Sequence, residues 1–253
     1  MTESSSRTVH PLDDVEIMIE DHDRTRTYLL LHGGGGARTM SGFAALLAER
    51  THSHVLAPTH PGFSGTPRGD RLTSTRDLAA AYVALLDELD LDEVTVVGNS
   101  FGGWLAVEIA LLASPRVRAA VVIDGIGIDV PEHPLTDVRG LTPAELRALS
   151  FHDPSKAPTP PPGGTAPRPD IAALVGYTGP AMSDPTLRAR LGELHLPVHV
   201  IWGESDGIVD ADYGRAFATA IPAATFTLLP AAGHLPQLEA PEALLDAFAE
   251  LGV

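Results

Sequence analysis

Gly98-Asn99-Ser100-Phe101-Gly102 sets one serine between two glycines, after the apolar run Val94 to Val97 and before an apolar-periodic stretch. A strand that enters a helix through so tight a turn holds its central residue in a strained backbone conformation. It needs small neighbours and leaves the hydroxyl exposed at the strand's end. The chemistry such a turn serves is acyl transfer by an activated serine, although the same short glycine pattern also occurs in ordinary strand-to-helix turns. A serine hydroxyl is a poor nucleophile until a histidine takes its proton, and the resulting imidazolium needs a carboxylate beside it. The chain offers both, further on. Asp206 lies in Trp202-Gly203-Glu204-Ser205-Asp206 and His234 in Ala231-Ala232-Gly233-His234-Leu235-Pro236, each just after an apolar run that reads as a strand. In a parallel sheet, loops that follow strands gather at the carboxyl edge, so Ser100, Asp206 and His234 are expected to converge there.

The elements that would position them can be read from periodicity and turn residues. Val15 to Glu20 and Arg24 to Leu31 read as strands around the polar turn Asp21-His22-Asp23, and Gly33 to Gly36 follow. Thr39 to Arg50 reads as a helix and Val55 to Ala57 as a short strand. Pro58 to Arg71 reads as a loop carrying Pro61-Gly62-Phe63-Ser64-Gly65. A long helix follows, with Thr73 or Thr75 as its expected cap and Leu78, Tyr82, Leu85, Leu86 and Leu89 on its apolar face. Val94 to Val97 and Ala119 to Ile123 are strands around the helix Phe101 to Leu112. Alternating strands and helices imply an α/β fold with a mostly parallel central sheet covered on both faces.

That rhythm breaks after Asp124. Between about residues 125 and 194 no strong strand is visible, and residues 153–170 hold seven prolines and the pair Gly163-Gly164, a composition expected of a flexible loop. Thr142-Pro143-Ala144-Glu145 opens a capped helix over Leu141 to Leu149. The rhythm then resumes with strands Val198 to Trp202 and Thr225 to Leu229 and helices Ala211 to Ala220 and Pro241 to Leu251. The expected organisation is therefore a core of residues 1–124 and 195–253, with 125–194 inserted as a helical cap or lid.

Composition removes several functional classes. The formal charge of −16 disfavours nucleic acid and anionic membrane surfaces as partners. With no cysteine, thiol catalysis and cysteine metal sites are excluded. The single lysine, Lys156, follows Ser155 rather than glycine, so no Walker A loop is present. His52 with His54, or His195 with His199, could suggest metal ligands, but Pro197 interrupts the latter pair and no H-E-x-x-H occurs. No metal or cofactor is expected, and the expected partner is a small-molecule substrate. Residues 1–8 are polar and serine-rich, unlike a signal peptide, and no apolar run reaches membrane-spanning length, so a cytoplasmic location is the default expectation. Oligomeric state is not encoded in any of these features.

Four segments together carry a family resemblance: Leu31-His32-Gly33-Gly34-Gly35-Gly36, Gly98-Asn99-Ser100-Phe101-Gly102-Gly103, Trp202-Gly203-Glu204-Ser205-Asp206 and Gly233-His234-Leu235-Pro236-Gln237-Leu238-Glu239. In this order, across nearly the whole chain, they resemble the signature segments of the α/β-hydrolase superfamily, whose cap occupies the position of the insertion. The resemblance implies Ser100 as nucleophile, His234 as general base and Asp206 as orienting acid. Asp124 is the alternative acid, because some members, such as haloalkane dehalogenases, place it there. The implied oxyanion hole is the backbone N–H of Phe101 with that of Gly34, or alternatively Gly35. His32 is expected to support its loop, and His60 and Ser64 to be scaffold. Gly35, Trp104, Ile126, Tyr177 and Leu235 are candidate pocket residues, with Ile128, Leu174 and Met182 beside them; core packing is an equal reading of Trp104.

The resemblance points first to a cofactor-free serine hydrolase acting on an ester or thioester of a medium-sized hydrophobic molecule. The elbow also resembles that of hydrolases that cleave carbon–carbon bonds of vinylogous diketones. Those usually carry an aromatic after the glycine-histidine pair, where this chain has Leu235. A third alternative is a noncatalytic ligand-binding or biosynthetic partner protein that retains the triad.

Overall fold

β5 (Val94–Asn99) is buried at every position, as a strand flanked on both edges and both faces must be. A computed structural model of the chain describes residues 5–12, 15–22, 26–158, 170–222 and 224–249. The other strands are β1 (Ser5–Leu12), β2 (Val15–His22), β3 (Thr27–Leu31), β4 (His54–Thr59), β6 (Val117–Ile123), β7 (Val198–Gly203) and β8 (Ala224–Leu229). They form one sheet in the order β1-β2-β4-β3-β5-β6-β7-β8. β2 runs antiparallel to β1 and β4, and every other neighbouring pair is parallel.

Period-two alternation divides the strand side chains between two cores. Leu29, Leu31, Val96, Val122, Val200 and Trp202 face one side, where they meet α2 (Thr75–Glu88), α3 (Phe101–Leu111) and α7 (Ala211–Thr219). Tyr28, Leu30, Val97, Val121 and Ile201 face the other, against α1 (Arg38–Thr51) and α8 (Pro241–Ala249). Fully burying one such Leu, Ile or Val side chain contributes about 1.5–3 kcal/mol. α3 is buried from Phe101 to Ala110, which accounts for a sequence that is apolar on all sides. Its one carboxylate, Glu108, is buried but paired with Arg190 at 2.7 Å and accepts from the Trp104 indole N–H at 3.1 Å.

Two local expectations are corrected. The N-cap of α2 is Ser74, whose hydroxyl accepts from Asp77 N–H at 3.2 Å. Thr73 instead bonds to the Asp77 carboxylate, and Thr75 is the first helical residue. β1 begins within a stretch that reads as a polar N-terminal tail. It pairs on one edge only, with β2, and an edge strand needs no continuous apolar run.

Between β6 and β7 the chain leaves the sheet for α4 (Pro143–Ser150), α5 (Ile171–Thr178) and α6 (Leu187–Arg190). Thr142 and Glu145 close a capping box on α4, each side chain bonding the other's backbone N–H. Gly163-Gly164 and most of the proline-rich loop lie outside the described residues. Among the described residues, no helix is long and apolar enough to cross a membrane.

Candidate active site

Ser100 sits between β5 and α3 with φ +58° and ψ −118°, a conformation that costs a non-glycine residue about 1–3 kcal/mol. The surroundings hold it there. Ser100 N–H donates to Ile123 O at 2.9 Å, and Ser100 O accepts from Gly103 and Ile126 N–H. Phe101 opens α3, and a first-turn amide has no acceptor within its own helix. Its N–H therefore joins the positive end of the helix dipole beside the Ser100 hydroxyl. On the other side, a Cβ at Gly33 would lie 2.8 Å from that of Ser100, so the glycine-rich loop after β3 lies directly against the serine.

The loops after β7 and β8 bring Asp206 and His234 together, with Asp206 Oδ2 2.7 Å from His234 Nδ1. Asp206 Oδ1 accepts from Ile208 and Val209 N–H at 2.8 and 3.1 Å, fixing the carboxylate. A proton on His234 Nδ1 satisfies the bond to Asp206 and leaves the Nε2 lone pair free to accept another. Ser100 and His234 line the same cavity.

Asp124 is also close. It is fully buried at the end of β6 with φ +46°, and its Oδ1 accepts from Gly203 N–H at 2.8 Å. One ligand atom each of Asp124, Asp206 and His234 lies within 4.8 Å of the others, but it is Asp206 that accepts the imidazole Nδ1–H. These three are the group able to hold a metal among the described residues, and two of them are engaged with each other.

Three supporting side chains escaped the sequence reading. Asn99 Nδ2 donates to Ile123 O and to His234 O at 3.2 and 2.9 Å, while Asn99 Oδ1 accepts from Gln237 Nε2 at 3.0 Å. The elbow is thereby tied to the histidine loop. Buried Glu239 accepts from Gly233, His152 and Asp153 N–H, joining that loop to the chain just after α4. The signal for Asn99 was its place inside the elbow motif; Gln237 and Glu239 stand one turn after His234.

Behind the glycine-rich loop, His32 and His60 are fully buried with ring centroids 3.8 Å apart. His32 Nδ1 lies 2.7 Å from Gly33 O and its Nε2 accepts from His60 N–H. His60 Nε2 lies 2.9 Å from His32 O and its Nδ1 2.6 Å from Tyr82 Oη. These partners are all satisfied by neutral rings, Nδ1–H in His32 and Nε2–H in His60. Burial lowers His32 to about 4 and His60 well below its ordinary value. The unfolded chain binds these protons near 6.5, so their stabilisation is complete above that pH. For His32 it is lost as pH falls toward about 4, and for His60 as pH falls well below its ordinary value. The melting temperature should drop across this window, and His32→Gln should flatten the slope, each proton being worth up to about 1.4 kcal/mol per pH unit. An unchanged slope would remove His32 as a contributor.

The cavity over Ser100 measures about 660 Å³, counting the space at its mouth. Gly33, Gly34, Gly35, Ser100, His234 and Leu235 form its floor. Ile126, Leu146, Leu174 and Met182 are among the residues from the β6–β7 segment that cover it. Of the candidate pocket residues, Tyr177 does not line it, and Trp104 takes its alternative reading, core packing. Trp104 packs against Gly127 beneath that segment. Tyr177 donates its hydroxyl to Pro61 O at 2.9 Å, stacks on Phe101, and lies under the Arg68 guanidinium. Both are anchors between the segment and the sheet domain. Ile128 lines a separate cavity with Tyr213.

The alpha/beta hydrolase family model matches residues 28–247, and the chain belongs to that family. Over 117 residues it is 32% identical to a 2-hydroxy-6-oxo-2,4-heptadienoate hydrolase of Pseudomonas putida, a match covering 45% of this chain and 42% of that protein. The chain thus spans less than half the length of this curated relative. An esterase from Thermogutta terrifontis superposes with TM-score 0.70 at 22% identity over 98% of this chain and 97% of its own. A serine hydrolase from Cycloclasticus zankles does so with TM-score 0.78 at 19% identity, covering 99% and 98%.

Proposed function

We propose that the protein is a serine hydrolase that cleaves a carboxylic ester or thioester of an uncharged, medium-sized apolar molecule. The observation that carries this reading is the Asp206–His234 pair opening, with Ser100, onto a cavity where no lining Asp, Glu, Lys or Arg occurs among the described residues. In this mechanism His234 Nε2 takes the Ser100 proton as Oγ attacks the acyl carbon. The N–H groups of Phe101 and Gly34 hold the oxyanion, and such donors are worth about 3–4 kcal/mol each. The imidazolium then protonates the leaving alcohol. Water, deprotonated by the same imidazole, releases the acid and restores Ser100. The β6–β7 segment acts as a cap that excludes bulk water and sets the size of the acyl group.

A second reading, carbon–carbon bond hydrolysis, draws on the Pseudomonas putida relative, whose named substrate is a dienoate. That substrate carries a carboxylate, and burying it in a cavity with no cation among its described lining residues would cost several kcal/mol. Short p-nitrophenyl esters are therefore expected to turn over with kcat/KM at least about tenfold above that of the dienoate, a difference of 1.4 kcal/mol in transition-state stabilisation. Preference for the dienoate would replace the ester reading. Turnover of neither, with no labelling of folded protein by a fluorophosphonate, would favour a noncatalytic ligand-binding protein.

A further inference from the structure

Asp206 has all the donors an ionised carboxylate requires, two backbone N–H groups on Oδ1 and the imidazole on Oδ2. Asp124 has one N–H on Oδ1, from Gly203, and its Oδ2 is fully buried with no hydrogen-bond partner. Two buried carboxylates with atoms within 4.8 Å of each other cannot both hold a negative charge without a compensating cation. Among the described residues no Lys or Arg forms an ion pair with either. The other titratable groups on the surrounding elements are engaged elsewhere. Glu239 accepts from Gly233, His152 and Asp153 N–H, and Tyr213 donates to Ile128 O.

We propose that Asp124 is a positioning residue that carries a proton on its otherwise unpartnered Oδ2 and directs it at the Asp206 carboxylate. The proton satisfies the orphaned oxygen, removes the second charge, and braces Asp206 where it holds His234. Burial and the adjacent Asp206 charge both push the Asp124 carboxyl well above the ordinary carboxylate range, in keeping with this state. Neutralising Asp206 removes the main repulsion. In Asp206→Asn only burial, the larger cause, still holds Asp124 neutral, and the imidazolium facing it offsets that cost, so Asp124 ionises and stands in as the acid near the imidazole.

The kinetic test rests on the ester reading and uses a double-mutant cycle on a p-nitrophenyl ester, with pH profiles. Asp124→Ala, which removes the donor that braces Asp206, should lower wild-type kcat/KM by about tenfold or more, and Asp124→Asn, which keeps shape and donor, should recover most of that loss in the wild type while lowering Asp206→Asn by about tenfold or more. The residual activity of Asp206→Asn should also gain an acid limb that Asp206→Asn/Asp124→Asn lacks. An equal effect of Asp124→Asn in both backgrounds, as a packing role would give, overturns the proposal. So does a loss in the wild type as large as that of Asp206→Asn. Infrared difference spectroscopy at neutral pH needs no turnover. Wild type minus Asp124→Asn should show the carbonyl stretch of a protonated carboxylic acid, and its absence also overturns the proposal. If Asp206→Asn is too slow to measure, or the wild type hydrolyses no ester, this band decides alone, separating failure here from failure of the ester reading.

Discussion

Ser100→Ala is expected to lower kcat on a neutral p-nitrophenyl ester by about 10⁶-fold, the loss produced by removing the nucleophile of a subtilisin-type triad. That corresponds to roughly 8 kcal/mol of barrier, because the Asp206–His234 pair and the oxyanion donors then have no oxygen to activate. The fold should not follow. The Ser100 backbone keeps its bonds to Ile123, Gly103 and Ile126, and the alanine Cβ occupies the place of the serine Cβ. The melting temperature should therefore stay near that of the parent. Fluorophosphonate labelling should vanish in the same variant. Activity retained above about one part in a hundred would assign the chemistry to another group, since residual rates in triad knockouts come from binding and oxyanion donors alone.

How far the sequence carried this reading depended on whether a residue's role is local. The strands β3, β5, β6 and β7 and the helix α3 were legible because each is a continuous apolar run bounded by turn residues. The elbow is a local steric problem with few solutions. Asp206 and His234 were legible through their loops, which a parallel sheet must place at one edge. The family resemblance favoured Asp206 over Asp124, but which carboxylate the folded backbone turns toward Nδ1 is a tertiary fact, and in the structure it is Asp206. Trp104 and Tyr177 show the same limit. Both are large and partly polar, as pocket residues are, but their donors meet Glu108 and the Pro61 carbonyl, respectively. Such partners lie more than a hundred residues away or one helical turn along, and periodicity does not reveal them. β1 was missed for a related reason: its pairing with β2, rather than an apolar pattern, defines it.

Gly98→Ala should be the most damaging single methyl in the molecule. A Cβ at Gly98 would overlap the carbonyl of Gly102 and lie 2.6 Å from Gly103 N. Every atom it meets is backbone, so no side-chain rotation relieves the clash. β5 cannot retreat, being paired with β3 on one side and β6 on the other. α3 cannot tilt away, because Phe101 to Ala110 are buried within the core. Ordinary overpacking costs about 1–3 kcal/mol by displacing side chains. Where two fixed backbone segments must part, the loss should exceed about 4 kcal/mol, a large share of the stability of a typical domain. Urea denaturation would show this as a lower midpoint or as failure to accumulate folded protein. Gly42→Ala provides the opposing case within the same experiment. It adds a methyl on exposed α1 with nothing within 4 Å, and should stabilise by about 0.5–1 kcal/mol through helix propensity. If both variants shift the midpoint alike, close strand-to-helix packing is not what the glycine at Gly98 serves. If only Gly98→Ala collapses, the elbow's geometry is set by contact between β5 and α3, and Ser100 is held in its strained conformation by that contact.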